Sequence, residues 1–356
     1  MEIKMYRIAI FQNDIGVGGI QKSLVNLLKN IDYSRFEVDL YVFEEGSFWD
    51  FSFPPELNVF NIKPLPPKCK YMPFDRVKKN YTLELPERGE YDLAADFNSY
   101  QPSCALGALQ VPARKRVMWI HNNVVIKHGE EWKYRVLWHF FKGKFKYFDD
   151  FVPCSSALEK PFRELSGIDY GSFPVIENYI DVQDINLKAA QAPDDFSADS
   201  DCFNLVAVGK LCHQKGYDIM LNVLSEALKS RDNLHLYLLG DGPDREKLEK
   251  QAQELGIQEH VTFMGKKENP YCYMKLMDAY ISTSRYEGQP LNTMEAMVIG
   301  LPLYCSKNLE QYTEGLKGYD NLAQALVDAA NEEKHPDGLE EYNGRILSRI
   351  EELCKE

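Results

Sequence analysis

No run in this chain approaches the ~20 consecutive apolar residues that span a bilayer as a helix, so a membrane-spanning helical protein is not expected. The opening residues, MEIKMYRIAIFQND, lack both an extended apolar core and a small-residue cleavage site. A secretory signal is therefore not expected either. The eight cysteines (Cys69, Cys104, Cys154, Cys202, Cys212, Cys272, Cys305 and Cys354) show no C-x-x-C spacing, and the seven histidines show no H-x-x-x-H spacing. That pattern argues against a disulfide framework and against a structural zinc site, and free thiols suit a reducing cytoplasm. Positive charge is scarce as well. With 41 Lys and Arg against 54 Asp and Glu, the net charge is −13, which excludes wholesale binding to nucleic acid. There is no repeat at solenoid spacing and no low-complexity tract.

What is present is a globular composition, 44% hydrophobic and 27% charged, over 356 residues. That length suggests two domains at ~100–200 residues each. A β-rich run at Arg7–Gln12, a loop DIGVGG, an amphipathic helix carrying Leu24, Leu27, Leu28 and Ile31, and a second strand at Val38–Phe43 make a β-loop-α-β unit. Residues 50–90 hold seven prolines and read as an irregular surface excursion. Strand-like runs return at Asp92–Asp96, Arg116–Ile120 and Phe151–Cys154.

Residues 181–202 are polar and acidic and read as a linker. Beyond them strands are expected at Phe203–Val208, Leu234–Leu239, Val261–Phe263, Ala279–Thr283 and Leu301–Cys305. Helices are expected at Tyr217–Lys229, Asp244–Leu255, Tyr271–Met277, Leu291–Ile299 and Leu322–Ala330, with a last amphipathic helix at Leu339–Leu353. The fold class is α/β, with two Rossmann-like, doubly wound domains: 1–180, then the linker 181–202, then 203–335, with 336–356 as a terminal helix. Two such domains in tandem predict a cleft between them, with ligands at the carboxyl ends of the strands.

Gly16, Gly18 and Gly19 lie between a strand and a helix, where backbone N–H groups can approach a phosphate. The dinucleotide fingerprint G-x-G-x-x-G fails at its last position, which is Gln21. Glu44, at the end of the second strand, stands where a ribose-binding acid would fall. A nicotinamide or flavin site and a plain tight turn both fit these residues.

A fuller constellation lies in the second half. VGKLCHQKG places Gly209 at the end of a strand and Lys210 and Lys215 in the loop after it, where two cations can neutralise a diphosphate. LLGDGP adds Gly240 and Gly242, and VTFMGK adds Gly265, each after a strand. The run EGQPLNTME then gives Glu287, Gly288 and Gln289, with Pro290 at a helix start. The N–H groups of Leu291, Asn292 and Thr293 are expected free for a phosphate. Glu287 suits sugar hydroxyls and Glu295, one turn inside the helix, a ribose. Taken singly, a helix glutamate or a pair of loop lysines is ordinary surface. Together, each at the carboxyl end of a strand, they describe a site for a nucleoside diphosphate joined to a polyhydroxyl group.

These residues resemble the retaining glycosyltransferases of family 4, which have the GT-B fold. The pair Glu287 and Glu295, the basic pair Lys210 and Lys215, the early Gly18-Gly19, WIHN with His121, and ENYID with Asn178 and Asp181 carry the likeness. After GLP the chain runs LYCSKNLEQYTEGLKGYDNLAQAL, shorter than the family's usual glycine-containing loop. The resemblance implies a nucleotide-sugar donor, most often a uridine one, bound by the second domain, and a glycan or lipid-linked acceptor bound by the first. It implies no cofactor and no metal, with Lys210, Lys215 and the helix N-terminus stabilising the leaving phosphate. Glu287 would hold the donor sugar, Glu295 the ribose, and His121 would position the sugar or its developing charge. The terminal helix would cross back to the first domain. The setting it implies is surface polysaccharide assembly.

Residues 112–148 carry nine basic side chains against two acidic ones, interleaved with Trp119, Trp132, Trp138, Phe140, Phe141, Phe145 and Phe148. Such a segment suits peripheral contact with an anionic membrane at its inner face. It fits equally a core of aromatics under a solvated basic rim. Two functional alternatives to an active transferase stay open: a non-catalytic subunit that stabilises a partner enzyme, and a nucleotide-sugar epimerase.

Overall fold

The computed structural model describes residues 5–16, 18–44, 53–193, 196–329 and 339–355. Val17 of the glycine loop, Asp194 and Asp195 of the expected linker, Ala330 and the boundary near residue 335 lie outside them. The chain forms two compact units, 1–179 with 340–356, and 180–339.

Unit 1 opens with β1 (Tyr6–Gln12), α1 (Gly19–Asn30), β2 (Phe36–Val42) and β3 (Asn58–Asn61). It continues through α2 (Phe74–Asn80), β4 (Tyr91–Asp96), α3 (Pro102–Gln110) and β5 (Ala113–Ile120). Then come α4 (Val124–Glu130), α5 (Trp132–Phe141), β6 (Asp150–Pro153) and α6 (Glu159–Ser166). The six strands are parallel in the order β3-β2-β1-β4-β5-β6. A parallel sheet is covered on both faces, so its strands read as apolar runs, as YRIAIFQ and FEVDLYV do here.

The region read as an irregular excursion holds β3 and α2, a difference with a local cause. β3 is a four-residue edge strand whose partner β2 supplies its order, and Pro73 sets the extended entry to α2. The rest of the excursion is tied down by Leu65 N–H to Ser103 Oγ, Leu83 N–H to Gln110 Oε1, and the Arg88 guanidinium to the buried Asp39 carboxylate.

Unit 2 begins with α7 (Val182–Ala189), β7 (Phe203–Val208), α8 (Tyr217–Leu228) and β8 (Leu234–Leu239). It continues with α9 (Arg245–Glu254), β9 (Val261–Gly265), α10 (Pro270–Met274) and β10 (Ala279–Ser282). It ends with α11 (Leu291–Ile299), β11 (Leu303–Ser306), β12 (Gly318–Tyr319) and α12 (Leu322–Val327). Its parallel sheet has the order β12-β11-β10-β7-β8-β9, the same winding as unit 1. Where the polar composition of 181–202 suggests a linker, α7 forms instead. The Asp181 carboxylate caps it by accepting the Asp184 N–H, and Ile185 and Ala189 are buried.

The last helix, α13 (Leu339–Lys355), belongs to unit 1. Ile346, Ile350 and Leu353 recur at helical spacing and join the core of β1, β2 and β4. Arg349 fixes its register on Val175 O and Glu177, and the Tyr342 hydroxyl donates to Asn178 O.

Lys144 and Asp96 form an ion pair with both side chains wholly buried (Nζ–Oδ2 3.1 Å). The other Asp96 oxygen accepts the N–H groups of Asn98 and Ser99, the latter at φ 57°. Removing one member leaves a buried charge without its partner. Lys144→Ala is therefore expected to lower stability by about 3–5 kcal/mol in urea unfolding. Lys146→Ala, at the half-exposed pair with Asp75, should stay within about 1 kcal/mol. Equal effects would show that burial is not what distinguishes the two pairs.

Candidate active site

In unit 2 the strand order reverses between β7 and β10, so the loops after those strands leave a crevice at the carboxyl edge of the sheet. A cavity there is lined by Val208, Lys215, Tyr217, Glu287, Asn292 and Thr293, among others. The Lys215 ammonium donates to Glu287 Oε1 at 2.6 Å, and Gln214 Nε2 donates to Oε2 at 3.3 Å. Glu287 is buried, so both oxygens of a desolvated carboxylate are partnered by groups from the neighbouring loop. The structure thus unites Lys215, Glu287, Pro290, Asn292 and Thr293, which stand apart in sequence. Tyr217 is an addition. It directly follows Lys215-Gly216 and reads in sequence as the first core residue of a helix, yet it lines the cavity.

Other expected members sit differently. Lys210 is exposed and makes no ion pair among the described residues. Glu295 is fully buried, hydrogen-bonded by the Tyr271 hydroxyl, and does not line this cavity. At the start of α11, Leu291 N–H goes to Gln289 O and Thr293 N–H to Pro290 O. Of the three N–H groups expected free, Asn292's is the one without a partner among the described residues, while its side-chain amide donates to Val208 O.

The glycines after the strands serve the packing of loop on loop. A Cβ on Gly240 would lie 1.9 Å from Gly209 O, and one on Gly242 would lie 2.3 Å from Leu211 O. The close approach that these glycines permit is to neighbouring backbone. Gly209 faces the Tyr217 hydroxyl, the Asn292 amide and the Lys215 stem, whereas a Cβ on Gly265 would meet only Arg245 Nη1, at 3.8 Å. Gly288 and Gln289 complete the turn between Glu287 and α11.

In unit 1 the corresponding reversal lies between β1 and β4. The glycine loop there holds a carboxylate of its own: Asp14 Oδ1 accepts Gly16 N–H and Gln21 Nε2, both at 2.9 Å. A fixed negative charge at that turn opposes a bound diphosphate. Gly18 has an extended backbone and precedes Gly19, the first residue of α1. Glu44 is exposed.

His121 follows β5 and is buried, its ring 4.7 Å from that of Phe97. Its Nε2 lies 2.7 Å from Phe97 O. A carbonyl can only accept, so Nε2 carries the proton and Nδ1 is left as an acceptor. Burial lowers the imidazole pKa to about 4, against a smaller opposing effect of the Phe97 bond. The ring is neutral at pH 7 and offers a lone pair, not a charge.

Most of the basic aromatic segment is internal. Trp119, Trp138, Phe141, Phe145 and Phe148 are buried. Arg114 pairs with Asp92, Lys115 with Asp150, Lys144 with Asp96 and Lys146 with Asp75. The large apolar side chains of this segment left exposed are Trp132 (67% exposed) and Val136 on α5 and Val125 on α4; Lys133, Arg135 and Lys142 are exposed as well, and Tyr71 packs edge-on against Phe140 of α5.

Residues 191–342 match the sequence family described as "Glycosyl transferases group 1". The matched stretch takes in most of unit 2. A lipopolysaccharide core biosynthesis glycosyltransferase, LpsD, of Rhizobium meliloti is 32% identical over 113 residues, 32% of each chain. An uncharacterized glycosyltransferase of Methanocaldococcus jannaschii is 22% identical over 53% of this chain and 47% of its own. The matches thus span half or less of the length of these relatives. Among solved structures, TarM of S. aureus, in complex with UDP, fondaparinux and alpha-GlcNAc-glycerol, has TM-score 0.65 at 12% identity over 98% of this chain and 97% of that one. HepE of Anabaena with UDP-glucose has TM-score 0.62 at 17% identity over 98% and 100%. The fold is GT-B, two Rossmann-like units in tandem.

The buried, neutral His121 sets a pH dependence. Its folded pKa lies below the unfolded value of about 6.5, so protonation favours the unfolded chain. The stability it contributes is complete above pH ~6.5 and is lost as pH falls toward 4. His121→Asn should flatten the stability profile in that window, measured by urea unfolding at a series of pH values. An unchanged slope would place the imidazole in solvent.

Proposed function

We propose that the protein is a retaining glycosyltransferase that moves a sugar from a nucleoside-diphosphate donor, with UDP as the carrier, to a glycan or lipid-linked acceptor. The observation that carries this reading is the Lys215–Glu287 pair beside the unpartnered Asn292 N–H, at the strand reversal of a Rossmann sheet. Cation and N–H suit the diphosphate, and they stabilise the charge that develops on it as the sugar bond breaks. The Glu287 carboxylate, already oriented by Lys215 and Gln214, suits donor-sugar hydroxyls. Lys210 would reach the phosphates from solvent. Glu295, one acceptor site of its carboxylate taken by the Tyr271 hydroxyl, would meet the ribose with the rest.

His121, neutral with Nδ1 free to accept, suits a sugar hydroxyl and adds no positive charge against an oxocarbenium-like centre. No metal is required, since the described residues supply the compensating charge themselves. Retention follows when the acceptor attacks from the face that the diphosphate leaves, with a phosphate oxygen taking its proton. UDP in the TarM structure and UDP-glucose in that of HepE support the choice of carrier. Lipopolysaccharide core synthesis by LpsD supports a role in surface polysaccharide or glycolipid assembly.

We place the protein in the cytoplasm, at the inner face of the membrane. Its cysteines are free, which suits a reducing compartment. The exposed Trp132, Lys133 and Arg135 of α5 suit anionic lipid.

Calorimetric titration of UDP, GDP, ADP and NAD without metal tests the donor site. We expect UDP to bind, and Lys215→Ala to weaken it about tenfold or more, as for a lost charge-assisted hydrogen bond. Binding of NAD alone would refute the reading, and absence of all binding would return the non-catalytic subunit. With a UDP-sugar and acceptor, NMR of the product should show the donor's anomeric configuration. For the membrane, Trp132→Ala with Lys133→Glu should abolish sedimentation with phosphatidylglycerol vesicles at low salt. Wild-type protein left in the supernatant would end that part of the proposal.

A further inference from the structure

Lys215 and Glu287 stand on loops that follow different strands, β7 and β10, and each side chain is flexible on its own. A site of this kind works only when its groups are held within about 0.5 Å of a productive geometry. Three contacts already draw the loops together. The Thr283 hydroxyl donates to Gly216 O at 2.8 Å, Arg285 N–H donates to Gln214 O at 2.8 Å, and Gln214 Nε2 donates to Tyr286 O at 3.2 Å. They hold Gln214 and Gly216, the two neighbours of Lys215, and a further tie spans the whole turn.

Arg285 and Asp218 supply it. The guanidinium meets the Asp218 carboxylate through two bonds, Nη1 to Oδ1 at 2.8 Å and Nη2 to Oδ2 at 2.6 Å. The same Nη1 also donates to His213 O at 2.8 Å. One planar group thus joins the loop after β10 to both ends of the turn that carries Lys215: His213 before it and the first turn of α8 after it. Asp218 is anchored in turn, because its carbonyl accepts from Asn222 and from Gln251 of α9. The pair is mostly shielded from solvent, its side chains 19% and 31% exposed, and a two-bond fork holds direction as well as distance. Neither residue lines the cavity.

We propose that Asp218 and Arg285 are positioning residues of the donor site, a clasp that sets the placement of Lys215 relative to Glu287 without touching the nucleotide. The proposal rests on the donor-site reading for its functional consequence, and its structural part can be read without any ligand.

The test uses the full chain with Asp218→Asn, Arg285→Ala and Arg285→Lys. In amide hydrogen exchange of the free protein, Asp218→Asn and Arg285→Ala should speed exchange at residues 214–216 by about tenfold or more and leave α9 unchanged. Unchanged exchange at 214–216 overturns the clasp, whatever the protein binds. Acceleration throughout unit 2 overturns it as well, since the pair would then be general scaffolding. In calorimetry with UDP, either substitution should weaken binding about tenfold, and Arg285→Lys, which lacks the fork, should recover only part of the loss.

The decisive comparison places Arg285→Ala in a Lys215→Ala background, where it should have little further effect on UDP affinity, because its action runs through Lys215. A full additional loss there would mean that Arg285 touches the nucleotide itself, and would refute the positioning role. If wild-type protein binds no nucleotide, the donor-site reading fails, while the exchange data still decide the clasp. Should Arg285→Ala not fold, the near-isosteric Asp218→Asn carries both measurements.

Discussion

Everything in the unit 2 site hangs on the contact between two pieces of backbone, Gly216 and Thr283. Gly216 is left-handed, with φ 64°, and a Cβ there would lie 2.1 Å from Thr283 O. Only glycine allows both the turn and the approach. Because the two loops meet so closely, Lys215 and Glu287 can pair across them, and Gln214 can bond both Tyr286 O and the Glu287 carboxylate. Wider loops would leave a lysine and a glutamate each in solvent, where such a pair contributes little.

The two sheets share one winding but not one electrostatic character. At the reversal point of unit 1 the turn after β1 is filled by Asp14, and the turn after β4 is organised around Asp96 and the buried Lys144. At that of unit 2 the loops present the Lys215–Glu287 pair and the Asn292 N–H. One architecture therefore carries different polar groups at its two reversal points. The difference lies in a few loop residues and not in the sheets.

Much of this was legible in the sequence, and the exceptions share a cause. The central strands, such as FNLVAV and LHLYLL, are apolar runs because both their faces are buried, and they read directly. β3 and the two-residue β12 do not, because edge strands take their order from a partner. α7 is hidden by polar composition, although Asp181 with Asp184 is a legible cap.

In the site, joint occurrence at strand ends picked out Lys215, Glu287, Pro290, Asn292 and Thr293, which the fold brings to one cavity. What stayed invisible was the choice of partners. No spacing rule tells that Leu291 and Thr293 spend their N–H groups on Gln289 and Pro290, or that Tyr271 holds Glu295. The aromatics of 112–148 show the same limit, since composition cannot separate Trp138 inside from Trp132 outside on one helix.

The placement of α13 bears on how the chain is made. Unit 1 draws its core from both ends of the sequence, whereas unit 2 is continuous. On the ribosome, at roughly 5–20 residues per second, unit 2 can emerge and close while the nascent unit 1 still exposes the groove that Ile346, Ile350 and Leu353 later fill. Unit 1 therefore closes only after unit 2 has been made, and loss of α13 would injure the core of unit 1 and leave that of unit 2 intact.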